Sequence, residues 1–334
     1  MISTAGGLTR DLAGRPSDNP LIVHVSSPAQ LPLLLPDDYT PSPLYQHLMR
    51  TLWPGPLTLL FPSSAAVPAQ TTANLSTVGV RMPLHPLARA LIHRAGTPLA
   101  APSANASGRP SPTRAVHVLH DLSGRIPAVL DGGECSVGLE STVIDGLNDD
   151  GHLRILRPGG VTREQLEQAV IDFEGPATGR RIISGEEGLR KGEREKPRTP
   201  GMKYKHYTPT IPVHLFCPRT DEGELVVDAL ARLVERHSIS LSSAPPKVGL
   251  MSYTPSRLAL LESATIDFVR RPLGARSDPE EAARRLFDGF LSLEAEGCAF
   301  IVIEEGAELD GVGVAVAERV KKAVGKDGSI LIRI

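Results

Sequence analysis

Short apolar runs broken by glycine- and proline-rich turns fill the first half of the chain, whereas its last third alternates apolar runs with longer amphipathic stretches. In the first block, β-branched and leucine-rich runs predict strands at Leu21–Val25, Leu57–Phe61, Val78–Arg81, Pro98–Ala101, Thr142–Asp145 and Leu153–Leu156. Pro86 to Ala95 reads as a helix with Leu87, Leu91 and Ile92 on one face. Thr162 opens another, with Gln165 three residues on, where a capping box places it. The second block predicts strand Val213–Phe216, helix Glu222–His237, strands Val248–Met251 and Ile266–Val269, helix Pro279–Ala295, strand Phe300–Glu304 and helix Val312–Ala323. A final apolar run, Ile330–Ile334, closes it. Ser277-Asp278-Pro279 starts the long helix, Gly297 stops it, and Leu286, Phe290 and Leu293 share one side. Strands alternating with helices favour a parallel, Rossmann-like sheet.

Between the blocks, from Gly179 to Pro209, apolar periodicity fails and Arg, Lys, Glu, Gly and Pro dominate. The reading is an α/β domain over residues 1–178, a linker over 179–210 and a parallel-sheet domain over 211–334. A length of 334 residues suits two domains with separate cores. Between Gly179 and Tyr207 nine Lys or Arg face four Asp or Glu, a local charge of +5. Over the whole chain the net charge is only −2, so a polyanion site must be local. Cys135, Cys217 and Cys298 lie far apart and form no CxxC pair, which argues against a zinc ribbon or a disulfide framework. No apolar run approaches the ~20 residues that span a bilayer.

The chain has no G-x-x-x-x-G-K-[ST] loop, no HExxH and no G-x-S-x-G elbow. Gly311-Val312-Gly313 follows a strand and opens a helix, but the third glycine of a dinucleotide fingerprint is missing, so close helix–sheet packing is the better account. More informative are polar loops placed directly beside apolar strands. They are Gly14-Arg15-Pro16-Ser17-Asp18-Asn19-Pro20, Ser76-Thr77-Val78-Gly79-Val80-Arg81, Ala100 to Gly108 (AAPSANASG), Gly138-Leu139-Glu140-Ser141-Thr142 and Leu156-Arg157-Pro158-Gly159. Arg15, Arg81 and Arg157 supply guanidinium forks for phosphate or carboxylate oxygens. Thr77, Ser103, Asn105, Ser111 and Ser141 add short hydrogen-bonding side chains, and neighbouring Gly and Pro shape the backbone. On chemistry alone the Ser and Asn residues are also turn formers, Arg81 also suits a surface ion pair, and His24 also suits a satisfied core histidine.

Taken in order, GRPSDNPLIVHV, WPGPLTLLF, STVGVRMP, APSANASGRPSPT, GLESTVID, LRPGG and PGMKYKHYTP closely resemble the threonylcarbamoyl-AMP synthase family in its two-domain form. That resemblance implies a YrdC-like α/β domain with a concave active face, a linker folding back toward the site, and a smaller Rossmann-like domain. Carried onto this chain, it assigns Arg15, Asn19, Thr77, Ser103, Ser111 and Arg157 to ATP and His24, Arg81, Ala101 and Ser141 to threonine, with Tyr204 in the linker string touching nucleotide. The implied reaction joins ATP, L-threonine and bicarbonate into threonylcarbamoyl-AMP and pyrophosphate. Mg²⁺ arrives with the ATP, and the product passes to a tRNA threonylcarbamoyl transferase. The scattered cysteines point to a reducing compartment, so a cytoplasmic location is expected, with a mitochondrial form the alternative from the small residues and single Arg of Met1 to Arg10, and no membrane association. Gly311 to Ala315 with Glu318-Arg319 resembles a signature of the second domain without a derivable role.

Two departures stand beside the resemblance. Family members carry a further N-terminal helix, a strand and a PTET-YGLG type loop where this chain has Met1 to Leu12, and a lysine where it has Ala13. The expectation is an N-terminally truncated form with a weakened phosphate and threonine site. The alternative is a non-enzymatic relative that binds RNA or senses nucleotide.

Overall fold

A computed structural model describes residues 14, 16–184, 206–217, 226–236, 245–256, 258–306, 310–325 and 332–333. The chain divides into two units: residues 1–107, 119–132 and 140–204 form one, and residues 108–118, 133–139 and 205–334 the other. Segments 108–118 and 133–139 therefore belong with the C-terminal half, although in sequence they lie inside the first block.

The first unit is built on a seven-stranded mixed sheet of β1 (Ile22–His24), β2 (Leu57–Pro62), β3 (Thr77–Arg81), β4 (Leu99–Ala100), β5 (Thr142–Asp145), β6 (Leu153–Arg157) and β7 (Ile182–Ser184), in the order β4-β1-β3-β2-β5-β6-β7. Every strand predicted for this block is present, and β7 is an addition inside the span read as linker. Its two isoleucines, too short a run to show periodicity, pair parallel to β6. The helices are α1 (Pro43–Leu52), α2 (Ala69–Thr72), α3 (Pro86–Ala95), α4 (Ala115–Leu122), which gives residues to both units, and α5 (Arg163–Glu174).

Because side chains alternate across a strand, β2 sends Leu57, Leu59 and Phe61 to one face and Thr58 and Leu60 to the other. The first face is the core. Val23, Val78, Val80, Ile144, Leu153 and Ile155 pack there against Leu44, Tyr45 and Leu48 of α1 and Leu166, Ala169 and Val170 of α5. Tyr45 meets Phe61 edge-on with ring centroids 5.3 Å apart. Its hydroxyl accepts from the Gly146 N–H at 2.7 Å, so the buried phenol is satisfied. Both helices start as their sequences dictate. Ser42 Oγ accepts from Tyr45 N ahead of Pro43, and Thr162 and Gln165 form the reciprocal capping box. The α3 expectation fails in one respect: Ile92 is buried, but Leu87 and Leu91 are 39% and 49% exposed. The inward stripe of α3 runs through Ala88, Arg89 and Ile92, which leaves the leucine pair, one helical position away, facing outward.

The second unit contains an all-parallel five-stranded sheet of β8 (Val213–Cys217), β9 (Lys247–Met251), β11 (Asp267–Arg270), β13 (Phe300–Glu304) and β14 (Ile332–Arg333), ordered β11-β9-β13-β8-β14. A two-stranded ladder joins β10 (Tyr253–Thr254) to β12 (Gly274–Ala275). The helices are α6 (Val226–Arg236), α7 (Pro279–Ala295) and α8 (Gly311–Val324). The predicted parallel sheet is thus observed, with both faces covered. Leu215, Met251, Ile301 and Ile303 pack against α7 and α8, while Phe216, Val248, Leu250, Phe268, Phe300 and Val302 pack against Leu230, Leu233 and Val234 of α6. Leu286, Phe290 and Leu293 are fully buried, as the periodicity of α7 requires. Gly311 opens α8 at φ 54 with nothing near where a Cβ would stand, so it serves the backbone turn rather than close packing, while Val312, Ala315 and Val316 are buried against the sheet. All three cysteines are free.

Candidate active site

The noncore face of the first sheet gathers the candidate groups. Register pairing places Leu99 of β4 opposite His24 of β1, His24 opposite Arg81 of β3, Arg81 opposite Thr58 of β2, Thr58 opposite Val143 of β5, and Val143 opposite Arg157 of β6. One row crossing six strands therefore gathers His24, Arg81, Thr58 and Arg157, although they are spread over more than 130 residues of sequence. Residues directly opposite in neighbouring strands share a face, so this alignment is a consequence of register. A small apolar cluster of Leu60, Val143 and Leu156 supports it.

A buried polar network ties the row together. Thr58 Oγ1 and Ser141 Oγ lie 2.7 Å apart, both buried. Arg157, also buried, donates from Nε and Nη2 to the Ser141 carbonyl at 3.1 and 2.8 Å, and from Nη2 to Ser141 Oγ at 3.1 Å. Hydrogen bonds of a guanidinium to neutral acceptors contribute about 1.5–3 kcal/mol each, roughly twice a neutral bond, and in a dry interior they also fix rotamers. The register shift between Val143 and Ile144 lies in the same β5–β6 ladder. Such irregularities re-aim side chains next to functional sites. Two glycines make room. A Cβ on Gly159 would fall 2.3 Å from the Glu140 carbonyl oxygen, so only glycine lets the Arg157-Pro158-Gly159 turn lie against Glu140-Ser141. A Cβ on Gly79 would stand 3.3 Å from Thr58 Cγ2, between Thr58 and Ile22.

Arg81 donates from Nε to the Gly55 carbonyl at 2.9 Å, which fixes the plane of its guanidinium. Beside it, His24 is held down to a pKa of about 4, first by desolvation and then by the positive charge of Arg81, against raising contributions from the Leu99 and Ile22 backbone. His24 is partly exposed on the polar face rather than in the core, and it is neutral at physiological pH.

Of the other sequence-predicted residues, Asn19 is buried next to β1 and Thr77 opens β3 opposite Pro62. Ala101 is exposed immediately after β4, its N–H donating to the Ile22 carbonyl at 3.1 Å. Ser103 is partly buried and Asn105 is buried, both in the first unit. Ser111 belongs to the second unit. Arg15 and Tyr204, like Ala13 and the preceding residues, lie outside the described residues. Thr58 was not singled out from sequence. Its signal was a hydroxyl at an even position of the apolar run Leu57 to Phe61, where alternation assigns the noncore face.

The site's donors are guanidinium and hydroxyl groups, which fit phosphate and carboxylate oxygens. Among the described residues no group of three His, Cys, Asp or Glu could hold a metal ion. Among the described residues no helix is long and apolar enough to cross a membrane.

Comparison with known proteins gives the arrangement its family. Residues 9–159 match the family described as Telomere recombination, and residues 161–325 match the Threonylcarbamoyl-AMP synthase, C-terminal domain. A threonylcarbamoyl-AMP synthase from Bacillus subtilis is 42% identical over 93% of this chain and 81% of its own. One from Pyrococcus abyssi is 36% identical over 93% and 82%. A crystal structure of P. abyssi Sua5 complexed with L-threonine superposes with a TM-score of 0.73 at 36% identity, over 97% of this chain and 85% of that one. With both family models matched in order along one polypeptide, this chain belongs to the threonylcarbamoyl-AMP synthase family of nucleotidyltransferase-type enzymes.

Proposed function

We propose that the noncore face of the first sheet joins L-threonine, bicarbonate and ATP into threonylcarbamoyl-AMP. The observation that carries this reading is the row His24–Arg81–Thr58 with the Thr58–Ser141–Arg157 network, which brings a carboxylate-matching guanidinium and a phosphate-matching guanidinium onto one face. Support comes from the relatives named threonylcarbamoyl-AMP synthase and from the threonine complex of the P. abyssi protein.

In this reading Arg81, its plane set by Gly55, takes the threonine carboxylate. Neutral His24 lies beside it as a hydrogen-bonding partner without adding charge. The threonine amine attacks the bicarbonate carbon and water is lost. A carbamate oxygen then attacks the α-phosphorus of ATP, the bond to the β-phosphate oxygen breaks, and pyrophosphate leaves with the electron pair. Such chemistry depends on positioning and charge neutralisation, which Arg157 and the hydroxyls beside it supply from fixed positions. Mg²⁺ bound to the phosphates would neutralise further charge. Asn19, Thr77, Ser103 and Ser111 contact ATP in this assignment, with Arg15 and Tyr204, while Ala101 and Ser141 line the threonine side. The product passes to a tRNA threonylcarbamoyl transferase, and the cytoplasm is the proposed compartment.

The test is pyrophosphate release by the purified chain with ATP. Release that needs both threonine and bicarbonate, together with isolation of threonylcarbamoyl-AMP, is the expected result. Release independent of threonine, or none, overturns the assignment for this polypeptide.

A further inference from the structure

The segment around Ser111 is held at both ends by one helix of the second unit. Arg109, two residues before Ser111, makes a bidentate pair with Glu294 of α7, Nη1 to Oε1 at 3.0 Å and Nη2 to Oε2 at 2.9 Å, with both side chains largely buried. Three residues after Ser111, Arg114 pairs with Asp288 of the same helix, and His117 Nε2 stands 3.7 Å from that carboxylate. The Thr113 N–H donates to His117 Nδ1 at 3.3 Å, and the Cys135 N–H to the Thr113 carbonyl at 2.9 Å.

Glu294 also serves a second segment. Its Oε1 accepts from the Thr210 N–H at 3.0 Å and from the Thr210 hydroxyl. Nearby, the Thr208 N–H donates to the Gly108 carbonyl at 3.0 Å. One carboxylate therefore ties the segment leading into Ser111 to the segment around Thr208 and Thr210. Tyr207, directly before Thr208, is fully buried at φ 65, stacked on Phe287 of α7 with centroids 5.2 Å apart, with the guanidinium of buried Arg319 5.5 Å from its ring. A tyrosine holds a left-handed backbone only where its surroundings over-determine it. That gives the Glu318-Arg319 signature of α8 a structural task. Burial pushes the Glu294 carboxyl up, but the bonds from Arg109 and Thr210 outweigh it and hold it below the usual carboxylate range.

Resting on the proposed assignment of Ser111 to ATP, we propose that Glu294 is a positioning residue that presets the Ser111 segment for nucleotide. A loop with free ends loses about 1–2 kcal/mol of conformational entropy per residue when a ligand orders it. Anchors two residues before and three residues after Ser111 remove most of that loss in advance, which appears as tighter nucleotide binding rather than a faster chemical step.

The experiment uses the full-length chain with Glu294→Gln, Arg109→Ala and the charge swap Arg109→Glu/Glu294→Arg. For each single variant KM for ATP should rise about tenfold, the equivalent of roughly 1.4 kcal/mol, with kcat and the threonine KM within about twofold. The swap restores the Arg109 pairing but not the bonds from Thr210, which an arginine cannot accept, so it should recover only part of the loss. Hydrogen exchange should quicken in peptides covering 106–118 and 206–210 while β13 keeps its protection. Calorimetry with a non-hydrolysable ATP analogue should show the same shift in Kd. Because that measurement needs no turnover, it separates failure of this inference from failure of the reaction assignment. An unchanged ATP KM and analogue Kd, or uniform loss of kcat, both KM values and β13 protection, overturns the proposal.

Discussion

The two sheets of this protein solve burial in opposite ways. In the mixed sheet of the first unit one face packs on α1 and α5, and the other face keeps Thr58, Ser141 and Arg157 in a hydrogen-bonded row beside Arg81 and His24. In the parallel sheet of the second unit both faces are buried, so β13 reads as five consecutive buried residues and polar groups gather at the strand ends. There Glu304 is buried, pairs with Arg276 and accepts from the Tyr253 N–H at 2.9 Å. A sheet with one core face can spend the other on a ligand. A sheet with two core faces holds things in place.

The comparison predicts where substitutions are felt. Arg157→Ala should have the largest effect, because it strips the Ser141 carbonyl and hydroxyl of their charged donor. Threonine-dependent pyrophosphate release should fall on the order of 10²–10³-fold, by the measure of lost preorganised donors. Normal release in that variant would break the functional half of the contrast. In the second sheet the counterpart is Glu304→Ala, which takes the carboxylate from Arg276, leaving it the Glu305 carbonyl, and strips the buried Tyr253 N–H of its acceptor. It should lower stability by about 3 kcal/mol in denaturant melts while leaving the threonine KM unchanged. A raised threonine KM would show that the second sheet is not merely a support.

His24 gives a pH signature confined to the first unit. Its folded pKa, about 4, lies below the ordinary 6.5, so between those values the unfolded chain binds more protons than the folded one. Stability therefore rises with pH through this window and is lost as pH falls from 6.5 toward 4, by up to roughly 3 kcal/mol. His24→Gln should flatten that dependence in urea titrations, and an unchanged slope would place the sensitivity elsewhere. Thr58→Val keeps the shape and deletes one bond of the network. It should reduce stability by about 1 kcal/mol and raise the threonine KM only a few fold. The smallest effect belongs to Arg163→Ala, whose exposed pair with Glu167 should be worth at most about 0.5 kcal/mol in the same melts.

How much of this was legible depends on whether the information is local. The capping box at Thr162, the start of α7 at Pro279 and the buried stripe Leu286–Phe290–Leu293 are short-range patterns, and the sequence carries them outright. Leu87 and Leu91 of α3 misled because apolar spacing says which residues share a helix face, not whether anything packs against it. β7 escaped notice because three residues cannot display a period and its partner β6 lies about 25 residues earlier. Thr58 was overlooked because a lone hydroxyl in an apolar run acquires meaning only when Ser141 arrives 2.7 Å away.

By itself the sequence determined the two-block organisation, the strands of the first sheet except β7, helices α3 and α5 to α8, the parallel character of the second sheet and the family. Those follow from periodicity, caps and ordered motifs, all of which act over a few residues. Only the tertiary structure decided that His24, Arg81, Thr58 and Arg157 form one transverse row, because register joins residues that no local interaction relates. It likewise decided that residues 108–118, contiguous with the first block, pack with the second unit through Arg109–Glu294 and Arg114–Asp288. A salt bridge across 185 positions leaves no trace in either segment alone, since each charge is equally at home on a solvated surface.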